Sequence, residues 1–353
     1  MKAIILCGGE EIGLQPITYT NPKELIPIAN KPLFIYTIEA LLNADIDEIG
    51  VVVNRYNKLV FERTLSKYFT HNLKYIVQNN PNDIIEGLLL CEEFVDEEKF
   101  IVILGNNSSI FDLKKFARDF INSKSNCKLL LKEVDEPENY SVAYIGDNRI
   151  IELEERPKVA FSNLAITGVY GFDNNIFNIC KEVDKDERKR FKITDILKKI
   201  LHNGYNIEYE VSDGYWKNIV EHKDIIEENI KRLDLIEEDI KGEIVNSQTS
   251  GRIILEEGAV VYNSVVRGPA IIGANSIIQH SYIGPYTSIG KRVNIQGSNI
   301  ESSIILYGAN ILGVESPIDY SIIGEGSVVS NEKGLKRTNR IIVGRNSRVY
   351  LIK

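Results

Sequence analysis

Met1-Lys-Ala-Ile-Ile-Leu-Cys-Gly-Gly-Glu-Glu-Ile-Gly-Leu-Gln-Pro-Ile-Thr18 opens the chain, and its reading decides the first fold. The apolar run Ala3 to Leu6 is short and uninterrupted, the pattern of a strand buried on both faces. It stops at Gly8 and Gly9, and a strand that ends in a glycine turn lets backbone N–H groups approach a phosphate closely. Two carboxylates, Glu10 and Glu11, follow the glycines and oppose that use. Outward from this stretch, Ile49–Val53, Leu73–Val77 and Phe100–Leu104 are further buried-strand candidates. Leu33–Leu42, Asp83–Phe94 and Leu113–Ile121 carry helical periodicity. Such alternation predicts an α/β domain with a largely parallel sheet, whose ligands gather at the carboxyl ends of the strands. Gly8-Gly9 and Gly105-Asn106-Asn107 both fall there.

A helix is expected over Glu221–Ile240, and the polar run Asn246-Ser-Gln-Thr-Ser-Gly251 reads as a linker. The division expected is therefore an α/β domain over 1–240, a linker over 241–251 and a second domain over 252–353. In that second domain Ile254, Val260, Val266, Ile272 and Ile278 recur every six residues, as do Ile283, Ile289 and Ile295 after a one-residue slip. A hexapeptide period predicts a left-handed parallel β-helix with one aliphatic residue per face pointing inward. Solenoids of this kind associate along their flat faces, so an oligomer is expected.

The 353 residues carry a net charge of −8 and no basic stretch of the kind that tracks a phosphate backbone, which argues against nucleic acid as a partner. Cys7, Cys91, Cys127 and Cys180 are far apart and form no metal-type pair. No leader pattern and no apolar run of membrane-spanning length is visible, so no membrane partner is expected and a cytoplasmic location is.

The chain resembles the sugar-1-phosphate nucleotidyltransferases, and most closely the long form of glucose-1-phosphate thymidylyltransferase. Gly8, Gly9, Leu14, Pro16 and Thr18 match the family's G-G-x-G-T-R-L-x-P-L-T loop. Asn21-Pro-Lys-Glu-Leu-Ile-Pro27, Glu154-Glu-Arg-Pro157, Ser162–Tyr170, Ile193-Thr-Asp195, Tyr282–Ile289 and Val343–Val349 continue the match in order. The resemblance implies transfer of a nucleotidyl group to a sugar-1-phosphate with Mg²⁺ held by two aspartates. It also implies nucleotide contacts at Gly8, Gly9, Lys23 and Gln78, and sugar-phosphate contacts at Tyr140, Glu155, Arg156, Tyr170 and Arg188.

The positions that carry the chemistry depart from that pattern. Glu11 replaces a glycine, Ile12 a threonine, and Gly13 the arginine that clamps the triphosphate. The two metal aspartates are Asn106, in Leu104-Gly-Asn-Asn107, and Asn218, in Tyr215-Trp-Lys-Asn-Ile-Val220. Ser141 replaces a glycine beside Tyr140, and Pro81-Asn-Asp83-Ile-Ile85 replaces a P-x-G-L-A segment. Loss of a phosphate-clamping arginine costs on the order of 10³ to 10⁵ in rate in other phosphoryl-transfer enzymes, and an uncharged amide is a poor ligand for a hard cation. These substitutions predict a catalytically silent protein with no metal cofactor, binding a sugar phosphate or nucleotide sugar, alone as a homo-oligomer or with an active relative. The alternative is an active Mg²⁺-dependent enzyme whose metal ligands come from Asp83, Glu11 or Glu221. A β-helix acyltransferase would need His280 as its base, and no partner for that base is visible.

Overall fold

The computed structural model describes residues 1–9, 13–19, 21–69, 73–81, 83–183 and 191–331. The strand Lys2–Cys7 lies between Glu48–Asn54 and Phe100–Leu104, parallel to both. Its side chains explain why it reads as a continuous apolar run. Ala3 and Ile5 point into a core with Phe34, Ile38, Phe61 and Phe116, while Ile4 points into another with Val102, Leu129, Phe172 and Ile196. A strand covered on both faces has no polar side to show. Lys74–Gln78 extends the parallel part of the sheet, and Leu164–Phe172 adds to it in the antiparallel sense.

The helices Leu33–Asn43 and Leu113–Asn122 form where the periodicity places them. The expected Asp83–Phe94 helix is two pieces, Ile84–Leu89 and Glu92–Val95, because the first is capped by Asp83 and ends before Cys91. The expected Glu221–Ile240 helix is His222–Leu233, stopped seven residues earlier than its apolar pattern suggests.

From Asp239 onward the chain winds as a left-handed parallel β-helix, with strands stacked in three sheets. The stretch 241–251 is not a linker. Glu243–Val245 and Gln248–Ser250 pair in parallel with Val260–Tyr262 and Val265–Arg267, so these residues form the first coil together with Asp239–Ile240. The polarity that suggested a linker belongs to a corner: Asn246 takes a left-handed φ of 49°, and Ser247 Oγ accepts the N–H of Ser264 at 3.0 Å. Such left-handed positions favour asparagine and glycine.

The hexapeptide phase also needs correction at its start. Leu255 and Val261, not Ile254 and Val260, fill the interior, each 1% exposed. The coil repeats every 17 residues where three full hexads would take 18. The short corner is satisfied by a ladder in which Ser247, Ser264 and Ser281 each accept a backbone N–H from the next coil at 3.0 to 3.2 Å. A hydroxyl there replaces the partner that the missing residue's carbonyl would offer, so no buried donor is orphaned.

The two domains share a core. Leu14, Ile26, Ile28, Leu33, Ile219 and Ile225 of the first pack with Ile304 and Leu306 of the second. Asn229, fully buried, fastens the junction: its Oδ1 accepts from Ala29 N and Ser288 Oγ, both at 2.8 Å, and its Nδ2 donates to Tyr286 O at 3.3 Å. Among the described residues no helix is long and apolar enough to cross a membrane.

Candidate functional site

The in-register pairing of Leu6 with Leu104 brings Gly8-Gly9 and Gly105-Asn106-Asn107 together at the carboxyl end of the sheet. Both turns are crowded. A Cβ on Gly8 would lie 2.2 Å from Gln78 Oε1, and one on Gly105 would lie 2.5 Å from Cys7 Sγ. These glycines are required by close packing whatever else they do. Cys7 is buried beneath them; desolvation, then the negative charge of Glu24, pushes its thiol well above the ordinary value against the opposing effect of Lys23.

Asn107–Ile110 continues as an antiparallel ribbon with Tyr215–Asn218, pairing Asn107 with Asn218. Ile219 N donates to Asn106 O at 2.9 Å, which closes the end of the ribbon. The two positions that the resemblance assigns to metal aspartates therefore face each other. Asn106 Nδ2 donates to Asn218 Oδ1 at 2.6 Å. Two carboxylates could not make this contact without a bound cation or proton, whereas two amides satisfy each other. The donor set is uncharged, and the Asn218 amide oxygen already accepts from Asn106, so it does not fit Mg²⁺ as a hard cation requires. Among the described residues no three histidine, cysteine or carboxylate side chains come together as a metal-binding group.

The candidate replacement ligands are also committed elsewhere. Asp83 Oδ1 caps the Ile84–Leu89 helix, accepting from Ile85 N at 3.0 Å and Glu86 N at 3.1 Å. Glu221 is exposed and pairs with Lys223 at 3.2 Å. Glu11 lies outside the described residues, as does Arg188. Gly13, at the arginine position, approaches the second metal segment: a Cβ built on it would lie 2.9 Å from Val220 O, so a longer side chain needs this loop to shift.

A cleft of about 400 Å³ runs beside the asparagine pair, bounded among others by Tyr140, Glu155, Arg156, Tyr170, Lys192 and Trp216. Tyr140 and Trp216 pack with ring centroids 5.1 Å apart and form an aromatic wall. Glu155 is held by three donors: Ser141 Oγ and Thr194 Oγ1 (3.0 Å) to Oε2, and Lys192 Nζ (2.9 Å) to Oε1. Burial works to raise its pKa, but these hydrogen bonds prevail and hold the carboxyl below the usual glutamate value. Ser141 is thus more than a lost glycine, because its hydroxyl occupies the acceptor that the resemblance gives to the sugar. Lys192 and Ser141 were not singled out as ligand contacts by sequence reading; the signal available for Lys192 was its place just before Ile193-Thr-Asp195.

Arg156 is exposed in a left-handed conformation, φ 44°, and borders both this cleft and an adjoining one of about 270 Å³. Lys217 and Asp224 line the second cleft and pair at 3.0 Å. Burial alone would lower the Lys217 value, but the hydrogen bonds it donates to Glu227 and Asp224 raise it. Tyr170 is 1% exposed and stacks on Phe172, so most of its ring belongs to the core. Gln78 is also buried, and its Nε2 donates to Asn80 O at 2.8 Å and to Asp83 O, leaving no amide hydrogen for a base. Lys23 is buried beneath the loop. His280, on the β-helix, is exposed and meets Tyr262 edge-on at 5.8 Å.

The model of the family described as nucleotidyl transferase matches residues 2–234. A glucose-1-phosphate thymidylyltransferase of Streptomyces griseus is 34% identical over 354 residues, 99% of each chain. The low-salt glycan biosynthesis nucleotidyltransferase Agl11 of Haloferax volcanii is 32% identical over 99% of this chain and 100% of its own. A Bacillus anthracis crystal structure in complex with a sucrose superposes with a TM-score of 0.63 at 33% identity, covering 68% of this chain and 98% of that one.

Proposed function

The chain belongs to the nucleotidyl transferase family, and from that premise we propose that it is a catalytically impaired member that binds a nucleotide sugar or sugar phosphate as a regulatory or structural subunit. The observation that carries this reading is the Asn106–Asn218 hydrogen bond at 2.6 Å. Nucleotidyl transfer proceeds mainly by positioning the phosphates and neutralising their charge. Here the charge needed for that is missing at both places where the family supplies it.

The two clefts support the same reading. Arg156, Lys192, Lys217 and Lys223 line them together with Glu136, Glu138, Glu155, Glu221 and Asp224, four cations against five acids. A triphosphate meets no net positive field there. A nucleotide sugar carries less charge and offers more surface to the Tyr140–Trp216 wall, which suits a binding role. Assembly as a homo-oligomer, or with an active relative, belongs to this proposal.

Calorimetric titration of the purified protein with dTTP, UTP and dTDP-glucose, each with and without Mg²⁺, tests it. Metal-independent binding of the nucleotide sugar supports the proposal. Pyrophosphate release from any nucleoside triphosphate with glucose-1-phosphate at ordinary enzyme rates would refute it and restore the Mg²⁺-dependent alternative.

A further inference from the structure

Trp216 is the chain's only tryptophan, and with Tyr140 it makes the aromatic wall of the cleft beside the asparagine pair. Its ring is half-buried, so its orientation depends on what holds it. The backbone of Trp216 pairs with Ser109 in the two-stranded ribbon, and side chains on such a pair also reach the diagonal residue two positions along the partner strand. That residue is Asn107, and Trp216 Nε1 donates to its Oδ1 at 3.2 Å.

An indole nitrogen can only donate, so this contact fixes which way the Asn107 amide points. Its oxygen faces Trp216, and its Nδ2 faces Leu104 O at 3.3 Å. Asn107 is 3% exposed. With both polar atoms committed, it has little left to offer a ligand directly.

The space for this amide is made on another strand. Leu164–Phe172 slips its register against Cys127–Glu133 between Ile166 and Tyr170, and within the slip Gly168 takes a φ of 82°. A Cβ there would lie 2.2 Å from Asn107 Nδ2. Glycine at a strand irregularity marks a close approach, and here the approaching group is the side chain that holds the wall.

We propose that Asn107 is a positioning residue: through Trp216 Nε1 it fixes the ring against which the ligand of this cleft packs, and Gly168 leaves room for it to do so. Packing of a ligand on that ring rests on the nucleotide-sugar reading of the cleft, whereas the anchoring of Trp216 stands apart from it.

Isotope-labelled tryptophan in the full chain gives a single indole resonance, which reports the anchor directly. In the parent the indole N–H is expected to be protected from solvent exchange. In Asn107→Leu, which has no acceptor, protection is lost and calorimetric affinity for dTDP-glucose falls about 3- to 10-fold, the worth of one hydrogen bond. Asn107→Asp keeps an oxygen for the indole and retains both properties. Gly168→Ala displaces the amide and also exposes the indole to exchange. Asn229→Ala, a destabilising change at the domain junction, alters neither protection nor affinity. An unprotected indole in the parent would overturn the proposal, as would parent-like protection in Asn107→Leu, or lost protection there with unchanged affinity. If the parent binds no dTDP-glucose, the nucleotide-sugar reading fails, and indole exchange in the parent, Asn107→Asp and Gly168→Ala alone decides whether Asn107 holds the wall.

Discussion

The asparagine pair can be converted one side at a time, and the outcomes differ because only one partner donates. In the assigned geometry Asn106 supplies the hydrogen and Asn218 the oxygen. Asn218→Asp keeps the acceptor and makes the bond charge-assisted, so its stability stays within about 0.5 kcal/mol of the parent. Asn106→Asp removes the donor and sets two oxygens against each other, a loss of about 1–3 kcal/mol. For a domain of this size that lowers the melting temperature by about 3–9 °C. The double change places two carboxylates about 3 Å apart, where Coulomb repulsion is about 5 kcal/mol at an effective dielectric of about 20. Both side chains are half-buried, so screening and a swing of one carboxylate reduce this to roughly 2–3 kcal/mol. Mg²⁺ restores the lost stability in the double variant and leaves the parent unchanged. Scanning fluorimetry of the four proteins with and without 10 mM Mg²⁺ (about tenfold above a millimolar-range site) measures every term. Equal losses in the two single variants, or a Mg²⁺-dependent shift in the parent, would refute the reasoning.

Three further outcomes follow from the clefts and the domain junction. Ser141→Gly releases one donor from Glu155 and makes it available to a sugar hydroxyl, so dTDP-glucose binds about 3- to 10-fold more tightly by calorimetry; unchanged affinity would place the sugar elsewhere. Glu155 has its folded-state value depressed, so its stabilising contribution is complete above the unfolded-state value near about 4.3 and is lost as pH falls through the folded-state value. Urea midpoints at pH 7, 5, 4 and 3 therefore decline less steeply at the acid end in Glu155→Gln than in the parent, and parallel declines would count against the hydrogen-bond account. Asn229→Ala strands the Ala29 N–H and Ser288 hydroxyl in a buried junction and lowers stability by about 2–4 kcal/mol in urea denaturation; a loss below about 0.5 kcal/mol would mean that water enters and the junction is not dry.

Much of the architecture was legible along the chain because it rests on local periodicity. Ala3 to Leu6 is apolar at every position since both faces of the strand are covered, and the aliphatic hexads mark an interior that can be filled only from one side chain per face. The errors arose where one local pattern has two tertiary meanings. Asn246–Gly251 has linker composition, yet small polar residues also build the corners of a coil, and only pairing with the next coil distinguishes the two. Ile254 and Leu255 are equally apolar, and the 17-residue coil determines which points inward.

The sequence by itself determined the fold class, the family resemblance and the loss of charge at Gly13, Asn106 and Asn218, because residue type at a matched position is a local property. Tertiary structure alone decided what replaced that charge. Asn106 and Asn218 are 112 residues apart and meet only because the ribbon pairs Asn107 with Asn218. Ser141 from one strand and Lys192 and Thr194 from the start of a distant helix converge on Glu155, and Gln78 gives its amide hydrogens to its own loop. Hydrogen bonds are satisfied by whatever lies within about 3 Å, and which groups lie that close is set by packing over the whole domain.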